Sequence, residues 1–279
     1  MSLVEQVYPA PAKLNLFLHV VGRRPDGYHL LQTVFRFLDY GDSVRIGVRE
    51  DGVLRLLNPL PGVPAEHDLC FRAARLLREH TGCDLGADIG LDKRLPMGGG
   101  LGGGSSDAAT VLMALNRLWR LNLAREELEM LGLRLGADVP VFVFGRAAFA
   151  EGVGEKLQAV TLPPASYVVL VPPVQVATAE IFGNPGLTRD TPEMKIPPLP
   201  HGCGHNDLEP VAVSLYPVIG DYLDWLRSYG DARMTGSGAC VFAAFRDRAE
   251  AERVFAARPE GMQGFVADGL DVHPMYTEA

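Results

Sequence analysis

At 279 residues, with 47% hydrophobic and 22% charged side chains, the chain has the size and composition of one large or two ordinary globular domains with a real apolar core. A formal net charge of -8, without any basic tract, argues against a nucleic-acid partner but leaves room for a local basic cleft around an anionic small molecule. No stretch approaches a membrane span, nothing at the N-terminus reads as a signal peptide, and four scattered cysteines without CxxC spacing suit reduced thiols, so a cytoplasmic protein is expected.

Residues 8–21 alternate, with Lys13, Asn15, Phe17 and His19 on one face and Leu14, Leu16, Leu18 and Val20 on the other. This predicts a strand, ended by the Pro-Asp-Gly turn of RRPDG. Strand-like segments follow at 33–39, 43–49 and 53–57, then a helix over 68–80 with Leu69, Ala73, Leu76 and Leu77 on one stripe, and a strand over 86–93. After the glycine run GGGLGGG (98–104), Ala108, Val111, Leu112, Leu115, Leu118 and Trp119 keep the spacing of a buried helical face. A second helix is expected over 124–135, closed by a left-handed Gly136, before the apolar run ADVPVFVFG and a strand near 146–151.

The segments 158–166 and 183–205 read as connections, with the buried strand SYVVLVPP between them. Helices near 207–216 and 218–229, the strand CVFAAF, a helix over 248–257 and a strand pair near 264–274 complete the chain. Strands and helices mix without regular alternation, which favours α+β in two domains, 1–157 and 158–279, over a doubly wound sheet. HGCGH places His201, Cys203 and His205 on alternate residues, but three candidate zinc ligands flanked by Pro and Gly favour a plain loop.

Six glycines in the seven positions 98–104 call for compensation, because each costs about 1 kcal/mol relative to alanine in a regular element. A P-loop is excluded, since Ser105 follows the last glycine and no lysine follows it. A dinucleotide fingerprint is formally met by Gly98, Gly100 and Gly103, but Pro96 stands directly before it and a second helix after, so a dinucleotide-binding oxidoreductase is a distant alternative. Bare backbone N–H groups at the positive end of a helix, with the Ser105 and Ser106 hydroxyls beside them, instead suit a phosphate cradle. Asp107 would repel phosphate there and must turn away or face a magnesium ion.

PMGGGLGGGSSDAA resembles the phosphate loop Pro-x-x-x-Gly-Leu-Gly-Ser-Ser-Ala-Ala of the GHMP kinases. PAKLNLFLHVVGRRPDGYHLLQTVF is similar to the family's N-terminal motif, GADVPVFV to its catalytic acid segment, NDLEPVA to a shared C-terminal motif and TGSGACVFAAF to its third glycine motif. Five motifs in the family's order cover nearly the whole chain. The glycine-dense loop looks most like the branch that phosphorylates the 2-hydroxyl of a cytidine-diphosphate-linked methylerythritol, with ATP and Mg2+, in non-mevalonate isoprenoid biosynthesis.

The resemblance implies an N-terminal nucleotide-binding α+β domain and a C-terminal ferredoxin-like α+β domain. It assigns the ATP phosphates to Pro96, Met97, Gly98, Gly99, Gly100, Leu101, Gly102, Gly103, Gly104, Ser105 and Ser106, and the reacting hydroxyl to Lys13 and Asp138. It gives substrate contacts to Asn15, Tyr28, His29, Phe182, Gly236 and Gly238, the aromatic rings sandwiching the base and the histidine meeting its polar edge. Metal ligands stay unassigned, and a monomer or homodimer is expected.

The residues themselves leave several of these roles open. Lys13 and Asn15 share a strand face, but a lysine there is more often solvated. Asp138 could accept a hydroxyl proton, or cap a following helix with Pro140 in its first turn. Asp68 stands where relatives commonly carry asparagine and can only accept hydrogen bonds. Another alcohol kinase of the same superfamily is the nearest alternative, and a non-catalytic nucleotide sensor is disfavoured by the presence of both Lys13 and Asp138.

Overall fold

The computed structural model describes residues 5–195 and 204–277. β1 (Gln6–Arg23) and β2 (His29–Arg49) form a long antiparallel pair around the expected turn, where Asp26 Oδ1 accepts from the Tyr28 amide at 3.2 Å. One continuous β2 replaces the two segments expected at 33–39 and 43–49. Gly41 makes this possible: a Cβ there would stand 2.2 Å from Ala10 O, so only glycine lets β2 run on against β1. β1 itself breaks strict alternation, with register shifts between Pro11 and Lys13, Asn15 and Leu18, and Val20 and Gly22.

β3 (Leu54–Leu56) leads to α1 (Leu69–Thr81), and β4 (Gly86–Asp92) then pairs parallel with β3 and antiparallel with the end of β2. Asp68 caps α1, its Oδ1 accepting from the Cys70 and Phe71 amides at 2.8 and 3.2 Å. α2 (Gly103–Leu118) follows the glycine run. One buried stripe is expected of it, yet every residue from Ser106 to Leu115 is buried. The reason is tertiary: α2 touches α1, α3 (Arg125–Leu133), α4 (Val139–Phe144), β1 and β2, so no face is left for water. Gly136 is not the left-handed cap expected; α3 ends in right-handed Arg134, and the left-handed cap is Gly145, which closes α4.

β5 (Ala148–Glu151) and β6 (Lys156–Ala159) form a hairpin on residues 33–35 of β2, and residue 157 falls inside it. The second lobe comprises β7 (Ser166–Val171), α5 (Thr178–Gly183), α6 (Glu209–Leu215), α7 (Pro217–Arg227), β8 (Arg233–Met234), β9 (Val241–Phe245), α8 (Arg248–Ala256) and β10 (Gln263–Leu270). Its strands lie antiparallel in the order β10–β7–β9–β8, which with helices before β8 and after β9 is a ferredoxin-like split βαβ arrangement. The pair expected near 264–274 is a single strand, β10, whose end pairs with Phe37 and Leu38 of β2 and joins both lobes into one sheet. The short β6, α5 and β8 go beyond the expected elements, because segments of two to six residues carry too little periodicity to read.

The one parallel ladder among the named strands is β3–β4, so the glycines after β4 do not open a βαβ unit, and the oxidoreductase alternative loses its frame. His201 and Cys203 lie outside the described residues; His205 pairs with Asp207 at 2.7 Å.

β1 contributes to four hydrophobic clusters, with Phe17 joining Val34 and Phe149 in a small one beside β5. Ala10 belongs to the first-lobe core with Ile46, Leu112 and Phe142; Leu14 belongs to the seam with Leu101, Val169 and Phe242; Leu18 and Val20 belong to the second-lobe core with Leu208, Leu223 and Val241. Residues 205–207 run beside it, with Leu18 N donating to His205 O and Asp207 N to Leu18 O, each at 2.9 Å. From there the buried Asn206 Nδ2 donates to Met234 O and Gly236 O, both at 2.8 Å, while its Oδ1 accepts from Leu208 N. Asn206→Ala would leave both carbonyls unpaired and lower stability by about 1–3 kcal/mol. Asn206→Asp would add an acceptor facing two acceptors and lower it further, and urea denaturation of the two variants checks that order.

Candidate active site

The glycine run and the loop at 235–238 interlock. Gly100 takes φ +75°, and a Cβ on it would stand 2.1 Å from Thr235 O. Cys240 N donates to Gly99 O at 3.1 Å, and the Thr235 hydroxyl reaches Gly100 O at 3.4 Å. Bare backbone at Gly99 and Gly100 is therefore required by close approach of the second lobe, besides any ligand. Gly102 is the N-cap of α2, and the first intrahelical bond runs from Ser106 N to Gly102 O at 2.8 Å. The amides of Gly103, Gly104 and Ser105 precede it and are left free by the helix, at its positive end.

Lys13 sits under this loop. Its side chain is 2% exposed, and its ammonium donates to Asn15 Oδ1, to Gly100 O at 3.0 Å, and pairs with Asp138 Oδ2 at 3.2 Å. The solvated reading of Lys13 is thereby excluded. Asn15 is held in turn: its Nδ2 donates to Thr33 Oγ1 at 2.9 Å and its amide to Thr235 Oγ1 at 3.0 Å. Asp138 occupies the N-cap position of α4, yet its side chain makes no cap hydrogen bond. Its half-exposed carboxylate faces Lys13 instead, so capping by the side chain is excluded as well.

Three cavities run together here. The first, about 380 Å³, is lined by Leu60, Val63, His67, Asp68 and Lys93 and by the whole stretch from Pro96 to Ser105. The second, about 310 Å³, holds Lys13, Asn15, Asp138, Gly236 and Gly238. Gly98, Gly100 and Ser105 line both, so the two meet across the glycine loop. The third, about 520 Å³, is lined by Tyr28, His29 and Phe182 and shares Leu31, Ala137, Val153, Thr178 and Phe182 with the second. Of the expected site residues, Ser106 stands apart: its side chain is fully buried and lines none of the three.

Residues 68–146 match the GHMP kinases N terminal domain and residues 201–263 the GHMP kinases C terminal domain. The chain is 63% identical over 273 residues to the 4-diphosphocytidyl-2-C-methyl-D-erythritol kinase of Thiobacillus denitrificans, covering 98% of each. It is 55% identical over 276 residues to that of Pseudomonas syringae pv. syringae, covering 99% of this chain and 98% of the relative. The chain belongs to the 4-diphosphocytidyl-2-C-methyl-D-erythritol kinase family. A crystal structure titled 4-(cytidine 5'-diphospho)-2C-methyl-D-erythritol kinase shares its fold at TM-score 0.79 and 34% identity, over 95% of this chain and 99% of that one. A homoserine kinase from Cytophaga hutchinsonii shares the fold alone, at TM-score 0.70 and 16% identity, over 98% and 96%.

In this member of the 4-diphosphocytidyl-2-C-methyl-D-erythritol kinase family, a buried charge cluster that sequence reasoning misses braces the loop from below. Lys93 Nζ bridges Asp42 Oδ2 and Asp107 Oδ2, the latter at 2.9 Å, while Asp42 Oδ1 accepts from the amides of Arg94 and Leu95. Asp107 thus gives its Oδ2 to Lys93, while the residue still lines the first cavity beside Ser105. Nothing in the sequence pairs Lys93 with Asp42, which is distant along the chain; Asp107 stands out there only as a charge needing an outlet.

Burial pushes the Asp107 carboxyl up to about 7, with Asp42 adding to the rise and Lys93 opposing it. A carboxyl whose pKa is raised above its unfolded value binds more protons when folded, so this stabilisation is full below about pH 4 and is lost as pH climbs to about 7. The stability of the native protein relative to Asp107→Asn should therefore fall by more than about 1 kcal/mol between pH 4 and pH 7, since each tenfold change in proton affinity is worth about 1.4 kcal/mol. Urea midpoints of both proteins across that range check it, and a constant gap would contradict it.

Proposed function

We propose that the protein transfers the γ-phosphoryl group of ATP to the 2-hydroxyl of 4-diphosphocytidyl-2-C-methyl-D-erythritol, a step in isoprenoid precursor biosynthesis. Membership of the family supports the reaction and the donor. The observation that carries the site assignment is the shared wall: Gly98, Gly100 and Ser105 line both the cavity of the glycine loop and the cavity holding Lys13 and Asp138. A phosphoryl group at that wall lies between a nucleotide on one side and an alcohol on the other. No helix among the described residues is long and apolar enough to cross a membrane.

In this reading the lobe of residues 1–157 supplies the nucleotide site and the lobe of 158–279 closes the acceptor side. The free amides of Gly103, Gly104 and Ser105 and the positive end of α2 hold the β- and γ-phosphates, with the Ser105 hydroxyl beside them. Asp138 accepts the proton of the acceptor hydroxyl as its oxygen attacks phosphorus, and the bond between phosphorus and the β,γ-bridging oxygen breaks to release ADP. Lys13 counters the charge that develops on the attacking oxygen and the transferred group. Its ammonium needs no reorganisation, being already fixed by Asn15 and Gly100 O.

Tyr28, His29 and Phe182 line the third cavity and receive the cytosine, while Gly236 and Gly238 admit the substrate close to backbone. Asp68 has its Oδ1 engaged by α1 and offers no donor to a nucleotide, so base contacts in the first cavity fall to other groups. Among the described residues no cluster of three or more His, Cys, Asp or Glu is placed to hold a metal ion alone. Mg2+ is held mainly by phosphate oxygens and water with one or two carboxylates, and Asp68 and Asp107 are the carboxylates that line the first cavity. Mg2+ would supply charge neutralisation on the triphosphate.

³¹P NMR of native protein with ATP and the cytidylyl methylerythritol should show a new phosphomonoester signal. Asp138→Asn should cut its rate by about 10²–10⁴-fold while ATP affinity stays within a few-fold. No product from folded, ATP-binding native protein would overturn the substrate assignment, and a near-native rate in Asp138→Asn would overturn the role of that carboxylate.

A further inference from the structure

Arg189 belongs to none of the sequence motifs, yet it ties the two walls of the third cavity together. Its Nη2 donates to Phe182 O at 3.0 Å and Asn184 O at 2.8 Å, and its Nη1 to Leu187 O at 2.9 Å. These bonds fix the guanidinium to the C-terminal end of α5 in the second lobe. Its Nε–H then crosses to the start of β2 in the first lobe and donates to His29 Nε2 at 3.1 Å. The His29 and Phe182 rings meet there, with centroids 4.9 Å apart and planes 31° from parallel.

This bond dictates where the imidazole carries its proton. A guanidinium is always protonated and has no acceptor, so His29 Nε2 can only accept. Burial, followed by the charges of Arg189 and Arg23, holds the His29 pKa below its usual range, which keeps the ring neutral. A neutral imidazole accepting at Nε2 carries its hydrogen on Nδ1. His29 thus has one donor of fixed identity, on a ring that lines the cavity.

We propose that Arg189 is a specificity-determining positioning residue: by holding His29 in the Nδ1–H tautomer against Phe182, it selects cytosine over uracil in the acceptor. Cytosine N3 is an acceptor and pairs with Nδ1–H. Uracil N3–H is a donor and would face it donor to donor, leaving two buried polar groups unpaired. Lysine cannot replace the arginine fully, since a point ammonium lacks the planar fork that engages α5 and His29 together. The inference rests on the reading that this cavity receives the nucleobase.

The test compares native protein with Arg189→Ala and Arg189→Lys on the cytidylyl methylerythritol and its uridylyl analogue, alongside ¹⁵N NMR of histidine-labelled protein with His29 assigned by its loss in His29→Gln. The native protein should show a protonated Nδ1 and unprotonated Nε2 at His29, and prefer the cytidylyl substrate by about a hundredfold or more in kcat/KM. Arg189→Ala should lower that preference at least about tenfold and move the proton toward Nε2, with KM for ATP unchanged; Arg189→Lys should fall between. A native His29 protonated on Nε2 overturns the inference whether or not either variant folds. Retention of preference and tautomer in folded Arg189→Ala overturns it while the nucleobase reading stands. Equal use of both substrates by native protein overturns the nucleobase reading, and the inference with it.

Discussion

The ammonium of Lys13 is the point on which the site depends. Burying a charge costs several kcal/mol unless it is paired and fully hydrogen-bonded, so the surrounding groups must hold their places or the strand will not form as it does. Lys13 meets that demand through Asn15 Oδ1, Gly100 O and Asp138 Oδ2, which come from β1, the glycine loop and the start of α4. Gly102 is needed for it: a Cβ there would stand 3.0 Å from Lys13 Cε and as close to Phe142. One buried cation therefore registers the glycine loop against the Asp138 carboxylate.

The lobes reinforce that registration from opposite sides. From the first lobe, Lys93 between Asp42 and Asp107 pins the chain entering the glycine run. From the second, the loop at 235–238 presses against Gly99 and Gly100 and is itself held by Asn206. β1 packs into both cores and the seam, so neither lobe completes its interior without it. A loop braced on both faces suits a reaction whose catalysis is mainly positioning and electrostatics.

Much of this is legible in the sequence where the signal is local. The five motifs mark the glycine loop, Lys13, Asp138 and the 235–238 loop, and periodicity places the long helices and most strands. What escapes depends on contacts between distant segments. The burial of Lys13 needs Gly100 and Asp138 to arrive from elsewhere, and alternation in β1 alone favours solvent for it. Asp138 reads equally as a helix cap until the structure shows its carboxylate turned to Lys13. Arg189 lies in a stretch that reads as a Pro- and Gly-rich connection, and its value comes wholly from four partners that folding supplies. Gly136 and the fully enclosed α2 show the converse, a reasonable local rule overruled by packing.

The central claim is that Lys13 and Asp138 act as one unit, registered by the glycine loop. A double-mutant cycle on kcat measures this directly, with Lys13→Met, Asp138→Asn and the double variant compared at saturating ATP. The account predicts strong non-additivity, the double variant losing no more than about threefold beyond the worse single variant, as for catalytic groups that work together. Losses that multiply, so that the double variant shows the product of the single effects, would mean that the two residues act independently and would contradict it.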